Sequence, residues 1–228
     1  MEMKNSTVYP GKVTELHLHL DGSLRPASVV EMAGWQGIEL PTQDLGKLTR
    51  EYLQVTEDCR NLEECLKRFE LPVRVLGTPE AIRRAAFDLT EDLALENYEY
   101  AEIRYAPLYA NNTGYTQEEF IQASIDGMKE ALARYPQMKA NLLLCCMRGD
   151  GLEDKNMETI RQTARFLGSG VCGADLAGAE SLYPTENFEN VFALAKKLDL
   201  PYTIHAGEAA GPDSIRTALR MGARRVGH

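Results

Sequence analysis

The segment ELHLHLDG (residues 15–22) sets two histidines two positions apart and follows them with an aspartate and a glycine. Histidine is scarce, with four in the whole chain, so their placement is informative. On an extended strand, residues two apart share a face, so His17, His19 and Asp21 point one way and Leu16, Leu18 and Leu20 the other. Two imidazoles at the carboxyl end of a strand form a metal-ligand pair. The competing reading is two core histidines bonded to neighbouring carbonyls. A second stretch, TIHAGEAAGPDS (203–214), ends an apolar run on His205, turns at Gly207 and places Glu208 three residues after the histidine. His228 follows RRVG at another predicted strand end, so all four histidines fall at such ends. Three neutral imidazoles suit zinc with one position left for water, and zinc lowers the pKa of that water to about 7. The chemistry these residues support is metal-assisted hydrolysis, with Glu208 as proton carrier. No dinucleotide glycine loop, phosphate loop or nucleophile elbow competes with it.

The elements that must hold these residues alternate. Apolar runs at 15–20, 100–106, 140–147, 171–176, 202–206 and 224–228 read as strands. The segments between them carry helical period. Thr78 and Pro79 open one helix whose apolar face is Ile82, Ala85, Ala86, Leu89 and Leu93. Thr116 and Glu119 have capping-box spacing ahead of Phe120, Ile121 and Ile125. Further stripes are Met157, Ile160, Ala164 and Leu167 before Gly168; Phe188, Val191, Phe192 and Ala195; and Ile215, Ala218 and Leu219 before Gly222. In the long first interval, NLEECLKRF puts Leu62, Cys65, Leu66 and Phe69 on one helical face. Strands that are almost continuously apolar, alternating with helices, make an α/β domain with a parallel sheet. A barrel and an open doubly wound sheet both satisfy this pattern. Glu102 and Arg104 share one strand face and are expected to pair with each other.

A formal charge of −9 over 228 residues argues against binding to phosphate backbones or anionic membranes, and leaves a small neutral substrate open. Five cysteines with no C-x-x-C pair fit reduced thiols, and Cys145 and Cys146 are expected on opposite sides of one strand. The opening MEMKNSTVYPGK is polar and lacks a signal peptide's apolar core, and no run approaches the length of a spanning helix. A soluble, cytoplasmic protein is expected.

HLHLDGSLRP, LLLCCMR, GADLAGAE, TIHAGEAAGP and ARRVGH, in that order, resemble the adenosine deaminase family across the whole chain. The resemblance implies a (β/α)8 TIM-type barrel with its site at the carboxyl-terminal face. Residues 1–228 would be one catalytic domain, reaching about the start of the sixth strand. It implies one zinc per chain held by His17, His19 and His205, with His19 also against the substrate. Glu208 would protonate a purine ring nitrogen, and His228 would hold and help deprotonate the attacking water. Asp21 would bond the ribose, the N–H of Gly178 a ring nitrogen, and Leu62 and Phe69 would gate the pocket. Cys65 stands where relatives carry an aromatic. The implied reaction converts adenosine, and 2′-deoxyadenosine, to inosine and ammonia in purine salvage. HLDG in place of H-L-E-G, together with DLAG, favours a nucleoside over adenine, and the H-x-E with P-C-x-x-C signature of nucleic-acid deaminases is absent. An adenine or other 6-aminopurine deaminase, and a non-catalytic zinc- or nucleoside-binding module, remain alternatives. The family barrel runs past residue 228 and includes an Asp-Asp pair not found here. The chain is therefore expected to be a piece of a longer enzyme, with little activity by itself.

Overall fold

Six strands carry the apolar runs: β1 (Val13–His19), β2 (Tyr98–Tyr105), β3 (Lys139–Met147), β4 (Val171–Ala177), β5 (Thr203–His205) and β6 (Arg225–Gly227). The structure is a computed structural model that describes residues 12–55 and 59–228; all but the last residue of the opening MEMKNSTVYPGK lies outside them. Every pairing is parallel, in the order β1-β2-β3-β4 with a second pair β5-β6. A parallel bridge between Ala174 and Tyr202 joins β4 to the start of β5. The α/β architecture with a parallel sheet is thus present. Among the described residues the barrel does not close, since β1 and β6 each have one strand neighbour.

Alternation along the strands divides helix-facing from inward-facing residues. On β3, Leu142 and Leu144 join the buried cluster containing Ile82, Leu89, Ile121 and Ile125. Cys146 joins a second cluster with Ile160, Phe192 and Ile204. Cys145 faces the other way, as expected, with its thiol 3.8 Å from Asp175 Oδ2. The crossover helices begin where their caps place them. Thr78 Oγ1 accepts the Ala81 N–H ahead of Pro79–Leu95. Thr116 and Glu119 form a full capping box ahead of Gln117–Arg134. Gly222, in the left-handed region, ends Pro212–Met221.

Three expectations change. Leu167 and Leu219 end their stripes but stay exposed, because each lies at or beyond the last packed turn. NLEECLKRF is not one continuous helix: Leu62–Leu66 passes into a 3-10 turn at Lys67–Phe69 before Glu70–Val75. Pro72 explains the break, since it has no N–H for the Arg68 carbonyl and its ring would strike that carbonyl in a regular helix. Glu102 and Arg104 do not pair. Arg104 instead donates to Asp175 Oδ2 at 2.7 Å and to the Leu16 carbonyl at 2.5 Å, and Glu102 takes Arg225. Both side-chain partners lie on strands that are not next to β2, so the long Arg104 and Arg225 side chains reach across the inward face instead of pairing along one strand.

Candidate active site

The strand ends bring the histidines to one point. Nε2 of His205, at the end of β5, lies 3.1 Å from Nε2 of His17 and 3.0 Å from Nε2 of His19, both on β1. Ring nitrogens of His17, His205 and His228 also fall within 4.8 Å of one another. The approach of His17 depends on Gly227, where a Cβ would sit 2.6 Å from His17 Cε1. On its far side His205 Nδ1 lies 3.0 Å from Asp175 Oδ2, so Nδ1 carries the proton and Nε2 presents its lone pair. Burial, then the charge of Arg104, lowers His17 to a pKa of about 4. Burial, then His205, lowers His19 to about 3.

This donor set fits a metal. At neutral pH His17 and His19 carry no charge, and both aim Nε2 at the single lone pair of His205, which can accept only one good hydrogen bond. A cation in their midst would satisfy all three nitrogens. Zinc with ligands at 2.0–2.1 Å sets tetrahedral donors about 3.3 Å apart, close to the spacing found.

Around this point lies a cavity of about 490 Å³ whose lining includes every site residue singled out from the sequence. His228 Nε2 stands 3.6 Å from Glu208 Oε1, which puts a fourth imidazole and a carboxyl side by side next to the other three. Asp21 is mostly buried, its Oδ1 has no hydrogen-bond partner, and burial pushes its carboxyl up to about 6. Gly178 follows β4 with φ +106°, a conformation that favours glycine. Leu62, Cys65 and Phe69 form an apolar wall despite the broken helix, and Tyr105, Tyr109 and Met147 line the cavity with them. A larger surface groove of about 1100 Å³, between Ile38 and Arg74, contains none of the histidines.

Four residues that hold the site were given no such role by the sequence. Asp175 and Arg104 are fully buried behind His205. Arg148 donates to the carbonyls of His205 and Tyr183 and to Thr185 Oγ1. Glu180 is buried beneath the loop that carries Glu208. A signal for two of them existed: GADLAGAE contains two acids, and alternation from Gly173 turns Asp175 inward.

Comparison with known proteins gives a consistent picture. The sequence model of the family described as adenosine deaminase matches residues 12–228. An adenosine deaminase of Haemophilus ducreyi is 44% identical over 219 residues, covering 95% of this chain and 63% of the relative. The chain thus spans less than two thirds of that relative's length. Among solved structures, an adenine deaminase from Arthrobacter aurescens superposes with a TM-score of 0.78 at 28% identity, covering 95% of this chain and 64% of the other. A Burkholderia ambifaria amidohydrolase with bound Zn gives 0.84 at 23% identity, covering 100% and 62%, and at that identity speaks to the fold alone.

Proposed function

The chain belongs to the adenosine deaminase family, and from that premise we propose a zinc centre that hydrolytically deaminates adenosine and 2′-deoxyadenosine to inosine or 2′-deoxyinosine and ammonia. The observation that carries this reading is the convergence of three imidazoles, with Nε2 of His17 and of His19 each within 3.1 Å of Nε2 of His205, beside the Glu208–His228 pair in one cavity. We place the six strands on the arc of a (β/α)8 barrel and residues 1–228 in one catalytic domain; the sequential strand order supports both.

His17, His19 and His205 would hold the zinc, about one per chain, and it would supply a Lewis acid able to bring a bound water's pKa to about 7. The remaining roles fall to the chain. His228 holds the water and takes its proton. Glu208 delivers a proton to the purine ring nitrogen next to the carbon under attack, which makes that carbon electrophilic. A C–O bond forms, His228 passes the proton it took to the amino group, the new hydroxyl returns a proton to Glu208, and the C–N bond breaks as ammonia leaves. Asp21 accepts a ribose hydroxyl, the Gly178 N–H donates to a ring nitrogen, His19 packs against the purine, and Leu62 and Phe69 exclude bulk water.

Two observations favour a nucleoside. The unpartnered Asp21 Oδ1 calls for a hydroxyl donor, which adenine, the substrate of the Arthrobacter neighbour, lacks. Among the described residues lining the cavity, Arg148 is the one arginine or lysine, and protein oxygens already occupy it, so no free cation meets a 5′-phosphate. We propose purine salvage in the cytoplasm. Five free cysteines support a reducing compartment, and no described helix is long and apolar enough to cross a membrane. Nucleic acid is not an expected partner for a chain of net charge −9. Rates on adenosine, 2′-deoxyadenosine and adenine, followed by purine ultraviolet absorbance, test the proposal. A preference for adenine would overturn the nucleoside assignment.

A further inference from the structure

Glu208 needs an aimed carboxyl, yet little about its own side chain aims it. That side chain is 26% exposed, and its neighbour His228 stands 3.6 Å away. Its direction is therefore set by the backbone of residues 206–211, which belongs to no helix or strand. Such a segment has no ladder of its own to satisfy its N–H groups.

The Ala206 N–H goes to the Gly227 carbonyl at 3.1 Å, and Glu180 satisfies three of the others. Its side chain is buried, and Oε1 accepts the Gly207 N–H at 2.8 Å while Oε2 accepts those of Ala209 at 2.7 Å and Ala210 at 3.1 Å. The Ser214 hydroxyl, in the first turn of the next helix, donates to Oε1 as well. Burial by itself would raise this carboxyl's pKa, but the bonds from Ala209, Ser214, Gly207 and Ala210 outweigh it and hold it below the usual range. The group is thus ionised, and its bonds to N–H are charge-assisted. Gly178, two residues earlier, lies on the same loop after β4, so this carboxylate ties the Gly178 loop to the Glu208 loop.

We propose that Glu180 is a positioning residue for proton transfer: its carboxylate grips the backbone on both sides of Glu208 and fixes where the Glu208 carboxyl stands. The inference rests on the role given to Glu208 above. A carboxylate suits the task because four donors meet two acceptor oxygens. An amide of the same shape has one such oxygen and turns its NH₂ toward N–H donors.

The test is Glu180→Gln in the zinc-loaded protein. The kcat for adenosine is expected to fall about 10- to 10²-fold, the scale of an ångström's misplacement, with KM little changed. Glu180→Gln combined with Glu208→Gln should be no slower than Glu208→Gln alone, because both act through one carboxyl. Amide exchange at Gly207, Ala209 and Ala210 should accelerate while β4 keeps its protection. Should Glu180→Gln fail to fold, Ser214→Ala removes one donor and should give a smaller loss with the same non-additivity. Losses that multiply in the double variant, or unchanged amide exchange, overturn the inference while leaving the role of Glu208 standing. Normal turnover by Glu208→Gln alone overturns that role, and the inference with it.

Discussion

Asp175→Asn should damage stability and metal binding together. Asp175 Oδ1 accepts the Leu176 N–H at 2.8 Å, and Oδ2 faces Arg104 Nη1 at 2.7 Å and His205 Nδ1 at 3.0 Å. With its oxygen kept on Leu176, an asparagine would turn NH₂ toward two donors. Arg104 is 2% exposed and would lose its counter-ion. Breaking a buried pair from one side costs about 3–5 kcal/mol, a fall in Tm on the order of 10 °C for a chain of this size. Separately, His205 would lose the partner that fixes its tautomer, which typically costs about 10–100-fold in metal affinity. Urea unfolding of the metal-free protein reads the first effect, and competition with a zinc chelator reads the second. Replacing both partners, Asp175→Leu with Arg104→Met, should recover most of the stability and none of the metal affinity. An Asp175→Asn protein with an unchanged urea midpoint and unchanged zinc affinity would refute the reasoning.

His17→Ala with His19→Ala should abolish stoichiometric zinc, measured by elemental analysis, since water replaces each ligand poorly. Asp21→Asn should change the pH dependence of folding. The folded carboxyl, near 6 against 3.8 in the unfolded chain, binds its proton more tightly than the unfolded one. Stability of the parent therefore declines as pH rises through that window and levels off above about 6. Urea midpoints of the metal-free proteins should show the variant gaining on the parent across that window, by on the order of 2–3 kcal/mol in all. Residues 1–228 alone should bind zinc yet deaminate adenosine slowly beside a chain of the relatives' length. Among the described carboxylates, Asp175, nearest the imidazoles, is committed to Arg104 and His205. Equal rates from the two would show that some residue of this chain supplies what the expected Asp-Asp pair would.

Period-2 spacing made His17, His19 and Asp21 legible as one face. The i, i+3 step from His205 to Glu208 likewise reads from one short turn. All six strands lie within about two residues of their expected positions, because parallel strands buried on both faces leave continuous apolar runs. Partnerships between strands were not legible, since they depend on register. Arg104 turned from its same-strand neighbour Glu102 to Asp175, two strands away in the sheet. Glu180 stands out as an acid in GADLAGAE, but its task was hidden for a related reason: its partners are backbone N–H groups some thirty residues on, and a backbone donor leaves no mark in a sequence. The break at Lys67–Phe69, ahead of Pro72, was visible in principle, but the apolar period through Leu62, Cys65, Leu66 and Phe69 masked it.

The central claim is that the imidazole cluster and Glu208 together deaminate a purine nucleoside. Ammonia release from adenosine, compared between the zinc-loaded parent of the relatives' length and its Glu208→Gln variant, tests it most directly. The parent is expected to turn over adenosine. The variant is expected to keep about one zinc and bind the nucleoside while losing at least about 10²-fold in kcat. A zinc-loaded parent that leaves adenosine intact, or a variant with near-normal turnover, would contradict the account.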